Sequence, residues 1–243
     1  MTRMAKGRTT HLTAEEIAVE LLRQYDVNHG EPSIRGLAAA LNVTPRAIYH
    51  YYDTRQDLVE ATMTLVWQEV VADVLTEIAD PVTDVGDPIE FFVTVGVATR
   101  RAFGRHNRLA MHLGMTVQPS SRVAGTMAII GSAFEQLGIK GDDAGLAMYS
   151  FLTYVLGSIV LEASRWSSEH DGTIAGPPDP DVPLRALRPE DAPPVDDHTA
   201  EAIDRVVASD RPAGGTNEDL FAAGLRQLIV GFAREAQRST TSR

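Results

Sequence analysis

Arg46, Tyr49 and His50 stand at i, i+3 and i+4 in a stretch that begins Thr44-Pro45. A helix started there carries a guanidinium, a phenol and an imidazole on one outward face, while Ile48 turns inward with Leu37 and Leu41. Thr44 is a good capping residue and Pro45 suits the first helical position. A short capped helix of this kind fits the major groove of DNA. There Arg46 could read guanine and hydroxyl-bearing residues could hold phosphates, and the capped N-terminus can itself meet a phosphate. The spacing is equally compatible with an ordinary helical hairpin whose outer face is polar.

Catalytic patterns are missing from the rest of the chain. It has no cysteine, no Gly-rich phosphate loop and no His-x-x-x-His pair, and its histidines are scattered at 11, 29, 50, 106, 112, 170 and 198. No catalytic residue is predicted, so an enzyme carrying the hairpin as decoration has no residues to support it. A helical small-molecule-binding protein with a vestigial DNA-binding domain is the other rival, and the intact Arg46-x-x-Tyr49-His50 face opposes it. A second group of side chains offers walls for a small molecule: Phe91, Phe92, Phe103, Met111, Met115, Met127, Phe134, Phe151 and Tyr154. An apolar, methionine-bearing set suits a bulky, largely hydrophobic ligand, although each residue taken singly is more often plain core. His112 and Arg105-His106 are the polar groups nearby, with helix-end roles as the alternative.

The elements that must position these residues are all helical, and no run alternates as a strand. Thr13-Ala-Glu-Glu16 is a capping box opening a helix with Ile17, Ala18, Leu21, Leu22 and Tyr25 at helical spacing, ended by Asn28-His29-Gly30. Pro32-Ser33 starts a two-turn helix to Leu41, Asn42-Val43 breaks it, and the third helix spans Thr44–Tyr51. Two short helices joined by a tight turn have the proportions of a helix-turn-helix. Thr54-Arg-Gln-Asp57 restarts helix as far as about Asp80. Helical patterns follow at 88–105, 108–117, 121–137, 142–166 and 216–238. Residues 167–215 hold eight of the thirteen prolines and eleven acids against four arginines. That composition predicts a long loop, interrupted at most by a short helix around 198–208. The fold class is therefore all-α. A flexible basic tail (1–12) precedes a three-helix helix-turn-helix domain (13–60), which leads into a larger helical domain (61–243).

A net charge of −11 argues against a generic nucleic-acid binder. Its distribution matters more: residues 1–56 carry seven Lys/Arg against six acids, so the acidity lies in the body. A near-neutral head can meet phosphates while the body repels DNA elsewhere. The basic N-terminus lacks the apolar stretch of a signal peptide. Residues 144–161 are uncharged and barely long enough to span a membrane. A helix buried on all sides, as at the centre of a dimer, explains them as well, and a cytoplasmic protein without a membrane span is expected.

Ser33 to Leu58, SIRGLAAALNVTPRAIYHYYDTRQDL, resembles the DNA-binding domain of the TetR (tetracycline-repressor-like) family of bacterial regulators. Ile48-Tyr49-x-Tyr51-Tyr52 is similar to that family's Leu-Tyr-x-His-Phe signature, and Asp53-Thr54-Arg55 stands where Pro-Ser-Lys is usual. The resemblance implies that Tyr49 and Arg55 bind backbone phosphate. It places Thr44, Pro45, Arg46 and His50 against bases and phosphates, and adds Arg35 from the preceding helix; Tyr51 replaces the usual histidine. The body resembles the ligand-binding domain of the tetracycline-repressor subgroup at His112-Leu113-Gly114, the 142–166 helix and Asn217–Phe232. This implies a homodimer formed by the helices at about 142–166 and 216–238, as a four-helix bundle. Ala147, Ser150, Gly157 and Ser158 on one helix, and Ala222, Ala223, Gly224 and Gly231 on the other, would allow close approach. The implied function is a ligand-responsive regulator of a double-stranded DNA operator, a repressor by family habit. His112 stands where tetracycline repressors place a histidine for drug-bound magnesium. The aligned helix offers Thr153 or Tyr154 where a further histidine would be needed, so neither a metal nor another cofactor is expected.

Overall fold

The structure, a computed structural model, describes residues 12–27, 30–78, 85–113, 121–171, 196–200 and 216–241. Every regular element among them is a helix. The head contains α1 (Ala14–Val27), α2 (Ile34–Ala40) and α3 (Pro45–Ile48). The long α4 (Arg55–Glu77) starts in the head and runs into the body. The body adds α5 (Pro88–Arg105), α6 (Asn107–Ala110), α7 (Ser121–Gln136), α8 (Asp142–Asp171) and α9 (Thr216–Thr241). Residues 197–200 are also helical.

Local chemistry sets the boundaries. The Thr13 hydroxyl accepts from the Glu16 amide at 3.1 Å while the Glu16 carboxylate accepts from the Thr13 amide at 2.8 Å. This reciprocal box satisfies two backbone donors that the first turn leaves free. Thr54 and Asp57 repeat it at the start of α4. Asp87 caps α5 through the Ile89 amide at 2.8 Å, with Pro88 in the first turn. The break between α2 and α3 turns on Asn42, whose φ of 54° lies in the left-handed region that Asn tolerates better than most residues.

Ile17, Leu21, Tyr25, Leu37, Ile48 and Leu58 lock the head together, each fully buried. Burying a side chain of this size contributes about 1.5–3 kcal/mol. The head does not stand apart, because α1 packs on both α4 and α6. In the body α5 is central, touching α4, α6, α7, α8 and α9. Phe92 meets Phe134 at 4.3 Å and Phe151 at 5.3 Å between ring centroids, forming the aromatic centre of that core.

Several boundaries differ from the sequence reading. The third helix was expected to run to Tyr51, but regular helix ends at Ile48. A tighter turn follows, with the Tyr51 amide bonded to the Ile48 carbonyl at 2.9 Å. That tightening lets Tyr51 and Tyr52 swing back to the start of α1. α4 ends at Glu77 rather than near Asp80, consistent with the approach of Pro81, which disfavours helix in the residue before it. α8 continues to Asp171, five residues into the expected loop, because Ser167 to His170 contain no breaker and the first glycine is Gly172. The helix expected at 108–117 is described only as α6 and a following turn to Leu113. The basic tail, most of the Pro-rich segment and Met115 lie outside the described residues.

Candidate nucleic-acid interface

Ser33 caps α2 by accepting from the Gly36 amide at 3.0 Å, and Thr44 caps α3 by accepting from the Ala47 amide at 3.3 Å. The two caps and the Asn42 turn hold α2 and α3 as a helix-turn-helix, with Leu37 and Ile48 buried between them. Arg35, Thr44, Pro45, Arg46, Tyr49 and His50 are all exposed. Tyr49, a large aromatic, leaves 47% of its surface in solvent, although the core lies one residue away at Ile48. Arg46 has no acidic partner among the described residues, so its donors are available to an incoming acceptor.

The tyrosines after Tyr49 do something else. Tyr51 donates its hydroxyl proton to the Leu12 carbonyl, and Tyr52 donates to the Ala14 carbonyl at 2.7 Å. These bonds tie the turn after α3 to the start of α1 and the residue two before it. Tyr51, at the position where the histidine of the TetR signature would stand, is thus a brace within the head.

Arg55, expected at phosphate, is half-exposed and already engaged. Its Nη2 donates to Glu31 and to the Pro32 carbonyl, the latter at 3.0 Å. Glu31 also accepts from the Tyr25 hydroxyl at 2.9 Å. Burial alone would raise the Glu31 carboxyl, but the Tyr25 and Arg55 hydrogen bonds and the nearby His112 charge together hold it below the ordinary value. Burial pushes the Tyr25 phenol well up, with the Glu31 contact adding to it.

His112 was expected at a ligand pocket. The structure brings it to the junction of head and body, with Nε2 3.2 Å from the Tyr25 hydroxyl and 3.5 Å from Glu31. His106 forms a second bridge there, its Nδ1 2.8 Å from Asp26 of α1 and its Nε2 3.2 Å from Glu69 of α4. Burial would lower the His106 pKa, yet the hydrogen bonds and charges of Asp26 and Glu69 outweigh it and hold the pKa above 6.5. Arg105 joins the same group, donating to Glu69 at 2.8 Å and to Asp73 at 3.3 Å.

Of the expected pocket walls, Phe91, Phe92, Phe103, Phe134 and Phe151 are buried in mutual contact or against neighbours such as Trp67. Tyr154 is half-buried; it stacks on Phe221 at 5.3 Å and donates to the Phe221 carbonyl at 3.2 Å. Met111 is 42% exposed beside Ser164, and the Met127 side chain lies outside the described residues. Sequence reasoning missed Arg100, which is 8% exposed within α5. Its Nη2 pairs with Glu162 at 2.9 Å, its guanidinium sits 5.1 Å from the Phe221 ring centre, and its buried Nε has no hydrogen-bond partner. The only hint was an arginine pair, Arg100-Arg101, just after the largely apolar stretch from Phe91 to Ala98. Among the described residues, no three His, Asp or Glu side chains gather in a group that could hold a metal.

α8 has a second unusual surface. Its buried positions recur every fourth residue (Ala147, Phe151, Val155, Ile159, Ala163), while Leu146, Tyr149 and Leu161 are 57%, 70% and 53% exposed. Thr153 and Gly157 are exposed between them. On α9 the buried row is Phe221, Leu225, Ile229 and Ala233. Of the small residues expected to face a partner, Gly157 and Gly231 look onto open space. Ala147 and Gly224 turn inward; Gly224 is so close to Tyr154 that a Cβ there would lie 2.2 Å from its hydroxyl.

Comparison with solved structures decides what this arrangement is. Apo ActR from Streptomyces coelicolor matches with a TM-score of 0.67 at 17% identity, over 96% of this chain and 100% of its own. ActR in complex with actinorhodin matches at 0.65 and 22% identity, over 92% and 96%. A TetR variant from Acinetobacter baumannii AYE, solved with minocycline, matches at 0.61 and 19% identity, over 93% and 98%. This is the TetR-family fold. No family model and no curated protein matches the sequence itself.

Proposed function

We propose that this chain is a sequence-specific, ligand-responsive DNA-binding transcriptional regulator that works as a homodimer. The observation that carries the reading is the exposed Arg46, Tyr49 and His50 face on a doubly capped helix-turn-helix whose core is fully packed. A helix-turn-helix reads a site efficiently when two copies are held about one helical turn apart. The uncharged outward face of α8 supports such pairing, with α9 beside it. α8 is long and apolar enough to cross a membrane, yet only 22% of that stretch is buried within the chain. We assign the remaining face to a second copy rather than to lipid, because Ser150, Thr153 and Gly157 interrupt it and favour close helix packing.

The reading is completed by a small-molecule effector that binds in the body and releases the protein, as a repressor, from a palindromic operator. The aromatic body core supports a bulky, largely hydrophobic effector. An effector acts only through its differential affinity for the two spacings of the heads. The protein then acts by binding in the cytoplasm and not by catalysis, as the regulator names of its structural neighbours suggest.

The test is selection of bound sequences from a random DNA pool at near-physiological salt, followed by Arg46→Ala and Tyr49→Ala on the selected site. A base or phosphate contact of this kind is worth about 1–3 kcal/mol, and it is made twice per dimer. Each substitution should therefore weaken binding by roughly 30-fold or more. Recovery of no site, or affinity unchanged by both substitutions, would overturn the assignment.

A further inference from the structure

We propose that the Glu31 carboxylate is an internal competitor of DNA phosphate for Arg55, and that His112 at the end of α6 sets the strength of its hold. The proposal rests on the DNA-binding reading above. Arg55 is the first residue of α4, and its Nη2 donors are spent on Glu31 and the Pro32 carbonyl. A carboxylate mimics a phosphate oxygen in charge and geometry, so the two cannot use the same donor at once. Arg55 and Glu31 are 41% and 50% exposed, which leaves the pair open to exchange with an incoming strand.

The hydrogen-bond order identifies what controls Glu31. The Tyr25 hydroxyl has one proton and gives it to Glu31. Its oxygen must therefore accept from His112, which requires a proton on Nε2. The result is a polarised chain from His112 through Tyr25 and Glu31 to Arg55. His112 also lies 3.5 Å from the same Glu31 oxygen, so it shares the carboxylate with Arg55. Withdrawal of His112 leaves Glu31 to bind Arg55 more tightly, which weakens the phosphate contact. His112 stands two residues past α6, and α6 packs against α1, α5 and α8. Movement of α6 in the body is thereby converted into a change at a DNA contact in the head.

Operator affinity is measured by fluorescence anisotropy on DNA selected by the wild-type chain, for wild type, Glu31→Gln, Arg55→Ala and the double variant. An exposed pair of this type is worth a factor of about 1.5 to 5, so two half-sites predict tighter binding by Glu31→Gln of about 2- to 25-fold. That gain should vanish in the Arg55→Ala background. The salt dependence should steepen with Glu31→Gln only when Arg55 is present, because a new phosphate contact releases counterions. Asp53→Asn, which removes the same charge from an exposed position nearby, should have equal effects in both backgrounds. His112→Phe keeps the ring against Tyr25 and should weaken binding in the wild-type chain but not beside Glu31→Gln. An equal Glu31→Gln gain with and without Arg55, or no gain, overturns the proposal alone. A wild-type chain that selects no DNA overturns the underlying reading, and the proposal with it.

Discussion

Thr153→Glu separates the two surfaces of α8. In the single chain Thr153 is exposed, opposite the buried row of Ala147, Phe151, Val155, Ile159 and Ala163. A surface substitution of this kind changes stability by no more than about 0.5 kcal/mol. In a two-fold dimer built on the Leu146, Tyr149 and Leu161 face, both copies of residue 153 enter the seam. Each then draws an unpaired carboxylate out of water, at an effective cost of several kcal/mol. Even about 2 kcal/mol per carboxylate gives about 4 kcal/mol per dimer, a weakening of roughly a thousandfold. Sedimentation from nanomolar to micromolar concentration should show wild-type dimers and Thr153→Glu monomers, with helix content retained. Operator affinity should fall with dimerisation, since two half-sites are no longer held together. An unchanged dimer dissociation constant would place the seam elsewhere and refute the reasoning.

Two further expectations concern the body and its junction with the head. The His106 pKa is raised in the folded chain, so its bridge from Asp26 to Glu69 contributes stability that is fully present below the unfolded value of 6.5. That contribution is lost as pH rises through the higher folded value. The melting temperature of wild type minus that of His106→Gln should therefore be larger at about pH 5.5 than at about pH 8.5; a difference that is flat or grows with pH would count against the bridge. Arg100→Met removes a buried guanidinium with an orphaned Nε and leaves Glu162, 44% exposed, free to return to water. Replacing such a charge by an apolar side chain of similar length should be neutral or stabilise by about 1–2 kcal/mol. Thermal melting showing a loss beyond about 1 kcal/mol would mean that the pair and the Phe221 contact together outweigh desolvation.

Much of the head was legible in the sequence because its determinants are local. The Thr13–Glu16 and Thr54–Asp57 boxes, the Ser33 and Thr44 caps and the Asn42 turn are decided within a few residues of chain. Helical spacing then states which side chains face inward, so Arg46, Tyr49 and His50 could be placed outside and Ile48 inside before any packing was known. The uncharged stretch of α8 was legible for the same reason, as was the all-helical class.

The partners of side chains distant in sequence were not legible. His112 is 87 residues from Tyr25, His106 is 80 residues from Asp26, and Arg55 is 24 residues from Glu31. No periodicity relates such pairs; they meet only because α1 packs across α4 and α6. Tyr51 illustrates the same limit across 39 residues. Its type permits a DNA contact, but the tight turn after Ile48 sends its hydroxyl to the Leu12 carbonyl. The orientation of small residues on α8 and α9 depended on packing too, for Gly224 turns inward against Tyr154 while Gly231 looks out. The sequence by itself determined the helices, the exposed Arg46, Tyr49 and His50 face and the acidic body, since these follow from neighbours along the chain. Tertiary structure alone decided which carboxylate holds Arg55 and which histidines bind head to body, because those contacts exist only after long loops have closed.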